Sequence, residues 1–259
     1  MVRFASLTVS LLIASLLGMA PPPAQPTPAP TPTEPPAAPP APKPETAKRP
    51  KPKERVKEIK SVTGTIRTKG RAVSIELFVH KAPTLCANFA FLARQGFWDG
   101  KPWTGFTRVI RQTGANAVGY TLPREFAPDL TFDDPRGGNL CMAKVSDKVA
   151  DSANAVRFFI TIKNQERWNL DFQIFGRVTS GLDAIVALEE GDLVESITLE
   201  GDVDALLAAF EPETKEWAAA LEELAKARQL PPGTLPGTPD RRTGEVPANR
   251  PIDGTLPSK

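Results

Sequence analysis

The sequence predicts a mainly β fold, an eight-stranded antiparallel closed barrel capped by two helices, with an amphipathic helix added at its C-terminal end. Three observations lead there. The 28 prolines cluster at the two ends, leaving between them about the length of one ordinary domain. Within that middle stretch short apolar runs recur at strand length, at about 106–112, 139–144, 156–162, 173–178 and 193–199. Only two segments there carry helical spacing. Many short strands with two helices suit a barrel with helical plugs.

Arg3 gives the N-terminus a positive start, and Leu7 to Ala20 is an apolar run broken by Thr8, Ser10, Ser15 and Gly18. Residues 1–20 therefore read as a signal peptide or a short membrane anchor, since the run falls short of the roughly 20 residues of a comfortable span. Gly18-Met19-Ala20 offers a cleavage site, although Pro21 follows it directly. Residues 21–60 form a linker, Pro/Ala/Thr-rich at first and then basic through Lys48, Arg49, Lys51, Lys53, Arg55, Lys57 and Lys60. Such composition forms an extended, solvated spacer; contact with anionic lipid or wall polymer, and hence an envelope tether, is the sharper alternative.

The folded domain is expected over 61–201. Val73, Ile75, Leu77 and Val79 alternate with Ser74 and Glu76, the mark of a half-buried strand. Pro83 opens an amphipathic helix through Leu85, Phe89 and Leu92 that ends at Gly96, and a second helix covers 182–189. Val156, Phe158, Ile160 and Ile162 share one face of a strand and must look inward. Arg157, Phe159 and Thr161 then look outward, and an outward Phe wants a reason. Residues 202–230 are a helical extension in which Trp217, Leu221 and Leu224 stand at i, i+4, i+7. Residues 231–259 are a Pro/Gly-rich tail expected to be disordered.

Charge and residue counts narrow the chemistry. With 32 basic and 30 acidic residues, the chain lacks the concentrated positive face that nucleic-acid binding needs. One histidine, His80, and two cysteines, Cys86 and Cys141, argue against Ser-His or Cys-His hydrolysis and against a metal centre. No cofactor is called for. Both cysteines stand in apolar runs, as small core residues do; a single bridge between them stays open.

Several segments, in order, resemble the cyclophilin family. Ile75-Glu76-Leu77-Phe78, Ala82-Pro83-Thr84 and Asn88-Phe89 are similar to its second strand and first helix. Gly96-Phe97-Trp98-Asp99-Gly100 resembles its G-F-Y-D-G turn, and Asn139-Leu140-Cys141-Met142-Ala143 its L-S-M-A strand. Arg157-Phe158-Phe159-Ile160-Thr161 resembles Q-F-F-I-T, and Phe175-Gly176-Arg177-Val178 with Gly191-Asp192 closes the domain as the family does. The likeness spans about Val62 to Gly201, and only the ensemble is specific.

That resemblance implies a peptidyl-prolyl cis–trans isomerase acting on proline-containing polypeptides, here on exported or envelope proteins. A catalytically weak module that holds proline segments is the alternative. Isomerisation asks for no nucleophile: the barrier of about 20 kcal/mol is lost amide resonance, and a catalyst need only bind the twisted amide best. The resemblance makes Phe159 the pocket floor, with Gln112, Ala143, Arg157, Trp168 and Phe172 as further substrate-binding residues. Its catalytic arginine has two candidate registers. Phe106-Thr107-Arg108-Val109-Ile110 fits F-H-R-V-I and makes Arg108 the cation, the register favoured on sequence. In the rival, Gln112-Thr113-Gly114 matches Q-G-G and Gly105 falls where the arginine should be.

Overall fold

The computed structural model describes residues 51–114, 118–145 and 152–229. Contacts divide the chain into Met1–Ala47 and Lys48–Lys259, and all described residues belong to the second unit. Residues 1–20, read above as a signal peptide or anchor, most of the expected linker and the tail 231–259 lie outside the described residues. Among those described, no helix is long and apolar enough to cross a membrane.

A short helix α1 (Pro52–Arg55) leads into β1 (Val62–Thr68) and β2 (Arg71–Leu77), then α2 (Pro83–Arg94). The tight hairpin β3 (Trp103–Phe106) and β4 (Ile110–Thr113) follows, then a two-residue strand β5 (Thr121–Leu122). Next come β6 (Asn139–Lys144), β7 (Ala153–Thr161), β8 (Gln173–Ser180), α3 (Leu182–Val186) and β9 (Ser196–Gly201). Helices α4 (Val203–Ala209) and α5 (Glu211–Ala227) end the unit.

All strand pairings are antiparallel, and the hydrogen-bonded order is β3-β4-β7-β6-β8-β2-β1-β9, with β5 branching off β7. The sheet therefore has nine strands where eight were expected, the ninth being a two-residue pair with no periodicity to betray it. An isolated bridge, Pro102 to Leu193, links the segment entering β3 to the one entering β9.

One main core fills the concave side. Leu140, Met142, Val156, Phe158 and Ile160 point into it, and Phe89, Phe91 and Leu92 of α2 plug it. Phe158 meets Phe89, Trp98 and Trp103 edge to face, with centroids 5.4, 5.3 and 6.0 Å apart, the arrangement aromatic quadrupoles favour. α2 starts at Ala82, which has no side chain to cap it. Glu125 does so from a distant loop: Thr84 N–H donates to its carboxylate at 2.9 Å and Leu85 N–H at 3.1 Å.

The core takes in residues on both sides of the expected span 61–201. Val56 and Ile59 are buried in the same core as β1 and α2, so the ordered unit starts before residue 61. Their spacing of three puts both on one side of a turn, which the surrounding lysines hid. Val203, Leu206, Phe210, Trp217 and Leu221 also belong to that core, so residues 202–229 are part of the domain. Arg55 joins the two ends, donating to Glu213 at 2.7 and 3.0 Å while its guanidinium lies 4.1 Å from the Phe210 ring centroid.

Beside the bridge, Lys101 is 4% exposed. Its ammonium has no hydrogen-bond partner and sits 3.4 Å from the Phe97 ring centroid. Burial pushes its pKa down to about 7, opposed only by the charge of Asp99. Cys86 and Cys141 are both buried and free, so no bridge joins them, and burial drives both thiols well above their ordinary range.

Candidate active site

A second, smaller cluster lies on the opposite side of the sheet. Phe132, Cys141, Ala143, Phe159 and Ile174 form its buried part, bordered by half-buried Phe78, Ile110, Leu130, Trp168 and Phe172. Strand register builds it. Gly105 faces Gln112, Gln112 faces Phe159, and Phe159 faces Cys141, which faces Ile174, in one row across β3, β4, β7, β6 and β8. Directly paired residues share a face, so Gln112 and Phe159 look outward together. Arg157, two residues before Phe159, shares that face.

Phe159 is only 2% exposed. Phe172 meets it edge to face with centroids 5.3 Å apart, Trp168 likewise at 6.0 Å, and Phe172 and Trp168 touch each other at 5.0 Å. The outward Phe is thus the base of an aromatic box. Trp168 ends a 3₁₀ turn, Glu166–Trp168, and the loop is tied down from the other side. Gln165 N–H donates to Phe132 O at 3.0 Å, and Phe132 N–H donates to Asn169 Oδ1 at 2.8 Å. Leu170, between the two wall aromatics, is held at φ +60° and is 54% exposed.

Sequence reasoning missed three contributors. Phe132 packs on Trp168 with centroids 6.1 Å apart, from a loop with no periodic pattern. Lys144 donates to Asp171 at 2.8 Å and lies 4.6 Å from the Phe172 ring centroid, so an ion pair borders the box. The charged residue flanking Ala143 was the available signal.

Arg108 is not part of this arrangement. It is exposed in the connection 107–109 between β3 and β4. Thr107 stops the strand: its Oγ1 accepts from Val109 N–H at 3.2 Å and Ile110 N–H at 3.1 Å, a side-chain turn that replaces the ladder. Ile162 N–H then donates to Val109 O, which sets Arg108 beside the end of β7. At about 3.4 Å per residue, that lies roughly 10 Å along the strand from Phe159. The expectation that Arg108 adjoins Phe159 is corrected accordingly.

Gly105 occupies the row instead. A Cβ there would come 2.7 Å from Gln112 Cβ and 3.2 Å from its Nε2, because the Gln112 side chain lies over the glycine. Gly114 is equally constrained, with φ +126° and a would-be Cβ 2.2 Å from Val156 O. His80 is exposed.

The family model for cyclophilin type peptidyl-prolyl cis-trans isomerase/CLD matches residues 63–204. The chain belongs to the cyclophilin family. It is 32% identical over 145 residues to peptidyl-prolyl cis-trans isomerase B of Bacillus subtilis (strain 168), covering 51% of this chain and 93% of that one. To a peptidyl-prolyl cis-trans isomerase of Helicobacter pylori (strain ATCC 700392 / 26695) it is 26% identical over 156 residues, 56% of this chain and 90% of that one. A solved cyclophilin type peptidyl-prolyl cis-trans isomerase of Cryptosporidium parvum covers 55% of this chain and 99% of its own, at 22% identity and a TM-score of 0.49. Within this cyclophilin, the row beside Phe159 holds Gln112 and, next to it, Gly105.

Proposed function

We propose that this cyclophilin is a peptidyl-prolyl isomerase for proline-containing segments of exported or envelope proteins. The observation that carries the reading is the row of Gln112 beside Phe159, with Arg157 on the same face and Trp168 and Phe172 as walls. Phe159 offers the floor for a proline ring, reached as the half-buried wall side chains swing aside on the fast rotamer timescale. The Gln112 amide and the Arg157 guanidinium supply donors for the twisted amide, the only state a catalyst must favour. Lys144, Asp171 and Ala143 define the rim where neighbouring substrate residues would lie. Export is supported by Arg3 and the apolar run Leu7 to Ala20, and the Pro-rich segment fits a spacer, with a membrane tether as its other use. Trp103 N–H donating to Asp192 O and Val194 N–H to Lys101 O, each at 2.8 Å, support reading the curled sheet as a closed barrel.

Exchange of a short X-Pro peptide tests the proposal, since spontaneous exchange takes tens of seconds. The wild-type chain should accelerate it. Arg157→Ala should lower the rate roughly a hundred- to thousandfold, the usual cost of losing one electrostatic donor. Phe159→Ala should weaken peptide binding as well, and Arg108→Ala should leave the rate unchanged. Unaltered activity in both Arg157→Ala and Phe159→Ala would sink the assignment. A second reading, a proline-binding module with little turnover, is favoured by Gly105 standing where the family places its arginine. Peptide binding without faster exchange would select it.

A further inference from the structure

A proline motif recurs in the last thirty residues of the sequence. Beyond Gln229, where the described unit ends, a short motif recurs three times: Gly233-Thr234-Leu235-Pro236, Gly244-Glu245-Val246-Pro247 and Gly254-Thr255-Leu256-Pro257. Each places glycine, one variable residue, a branched aliphatic residue and proline in that order. A composition merely rich in Pro and Gly has no reason to repeat the aliphatic residue at the same place.

The aromatic box is suited to that pattern. Phe159 lies beneath Trp168 and Phe172, and the half-buried Phe78, Ile110 and Leu130 border it. A proline ring set against Phe159 puts the side chain before it on this apolar margin, where a Leu or Val side chain gains by leaving water. The N-terminal Pro-rich segment differs. Its prolines are preceded by Ala, Thr, Gln, Glu, Pro, Lys or Arg and never by a branched aliphatic residue. Glycine three places before each proline lets the backbone run close to the sheet.

Length permits the contact. Pro247 lies 18 residues beyond Gln229 and Pro257 lies 28 beyond it. At about 3.1 Å per residue in a polyproline helix these reach up to about 55 and 85 Å. A domain of this size is roughly 40 Å across, so the path round it to the far side is about 60 Å; Pro257 reaches any face and Pro247 all but the most distant.

Resting on the proline-binding reading of that site, we infer that the C-terminal tail, residues 230–259, is an intramolecular ligand of the Phe159 pocket. Its later motifs, ending at Pro247 and Pro257, take turns in the pocket and compete with polypeptide substrates. A tethered ligand acts at an effective concentration of about 1 mM. Against a motif that binds at about 1 mM untethered, two copies hold the pocket about two-thirds of the time and weaken a competing peptide about threefold, within a range of about two- to fivefold.

The test uses the full chain and a synthetic, end-blocked Gly-Thr-Leu-Pro-Gly peptide, with its dissociation constant measured by NMR titration. In the variant Pro236→Ala/Pro247→Ala/Pro257→Ala the constant should fall about two- to fivefold relative to wild type, and the difference should not change with protein concentration. Equal constants would overturn the inference while leaving the proline-binding reading intact. A difference that grew with protein concentration would overturn it too, assigning the tail to the pocket of a second copy. Absence of binding to either protein at saturating peptide would remove both the inference and the reading beneath it.

Discussion

Replacing Lys101 with methionine removes a charge that the fold accommodates poorly, and the effect has a defined pH window. The ammonium is 4% exposed, without a hydrogen-bond partner, and its pKa is pushed from 10.5 down to about 7. A base whose folded pKa is depressed binds more protons when unfolded, so stability rises with pH between about 7 and 10.5 and is flat below. Each pH unit in that window is worth at most about 1.4 kcal/mol. Integrated from pH 7 to 9, the wild type should gain about 2 kcal/mol, or about 4–8 °C in Tm for a domain of this length. Above about pH 9 the buried thiols of Cys86 and Cys141 act oppositely, because their unfolded forms ionise first. Working below pH 9, and comparing with Lys101→Met, isolates the lysine. Urea unfolding at pH 7, 8 and 9 should show the variant more stable at pH 7 and the two proteins converging by about 2 kcal/mol by pH 9. Parallel curves for the two proteins, or a variant less stable at pH 7, would refute the reasoning.

Three further outcomes are expected. Glu125→Ala leaves the Thr84 and Leu85 N–H groups at the start of α2 without their carboxylate acceptor and should cost about 1–2 kcal/mol, read as a lower urea midpoint with unchanged slope. Leu170→Gly relieves a left-handed, exposed leucine and should stabilise by up to about 1 kcal/mol, seen as a Tm rise of a few degrees; a fall would show that the leucine is held by contacts. Gly114→Ala drives a methyl against Val156 O at a positive φ. It should destabilise by about 3 kcal/mol or more and weaken peptide binding, since β4 must shift with Gln112.

Much of the architecture was legible because burial imposes a period. The alternation of β7 separates Phe158, in the main core, from Phe159, in the outer cluster, and the Pro83-to-Gly96 signals bracket α2 closely. Trp217 and Leu221 are the two buried residues of α5, while Leu224 is half-buried. The failures have local causes. Phe106-Thr107-Arg108-Val109-Ile110 is strand-favouring in composition, but one hydroxyl turns the chain at Thr107, and composition does not reveal which backbone donor a hydroxyl captures. Of the site residues named from sequence, Ala143, Phe159, Trp168 and Phe172 meet in one cluster, and Gln112 joins them by register. Arg108 does not, and Phe132 enters from a loop whose position is set by Asn169 and Gln165 rather than by any pattern of its own.

The overlap of Gln112 with the space above Gly105 binds the two positions genetically. An arginine introduced at 105 alone would collide with the glutamine's first carbon, and a smaller residue introduced at 112 alone would only open a gap beside Phe159. Every residue but glycine carries that carbon, so shortening position 112 to serine or alanine makes no room for a side chain at 105. What keeps position 105 a glycine is therefore the closeness of the two backbones, and β3 and β4 would have to separate locally before any larger residue could be inherited there.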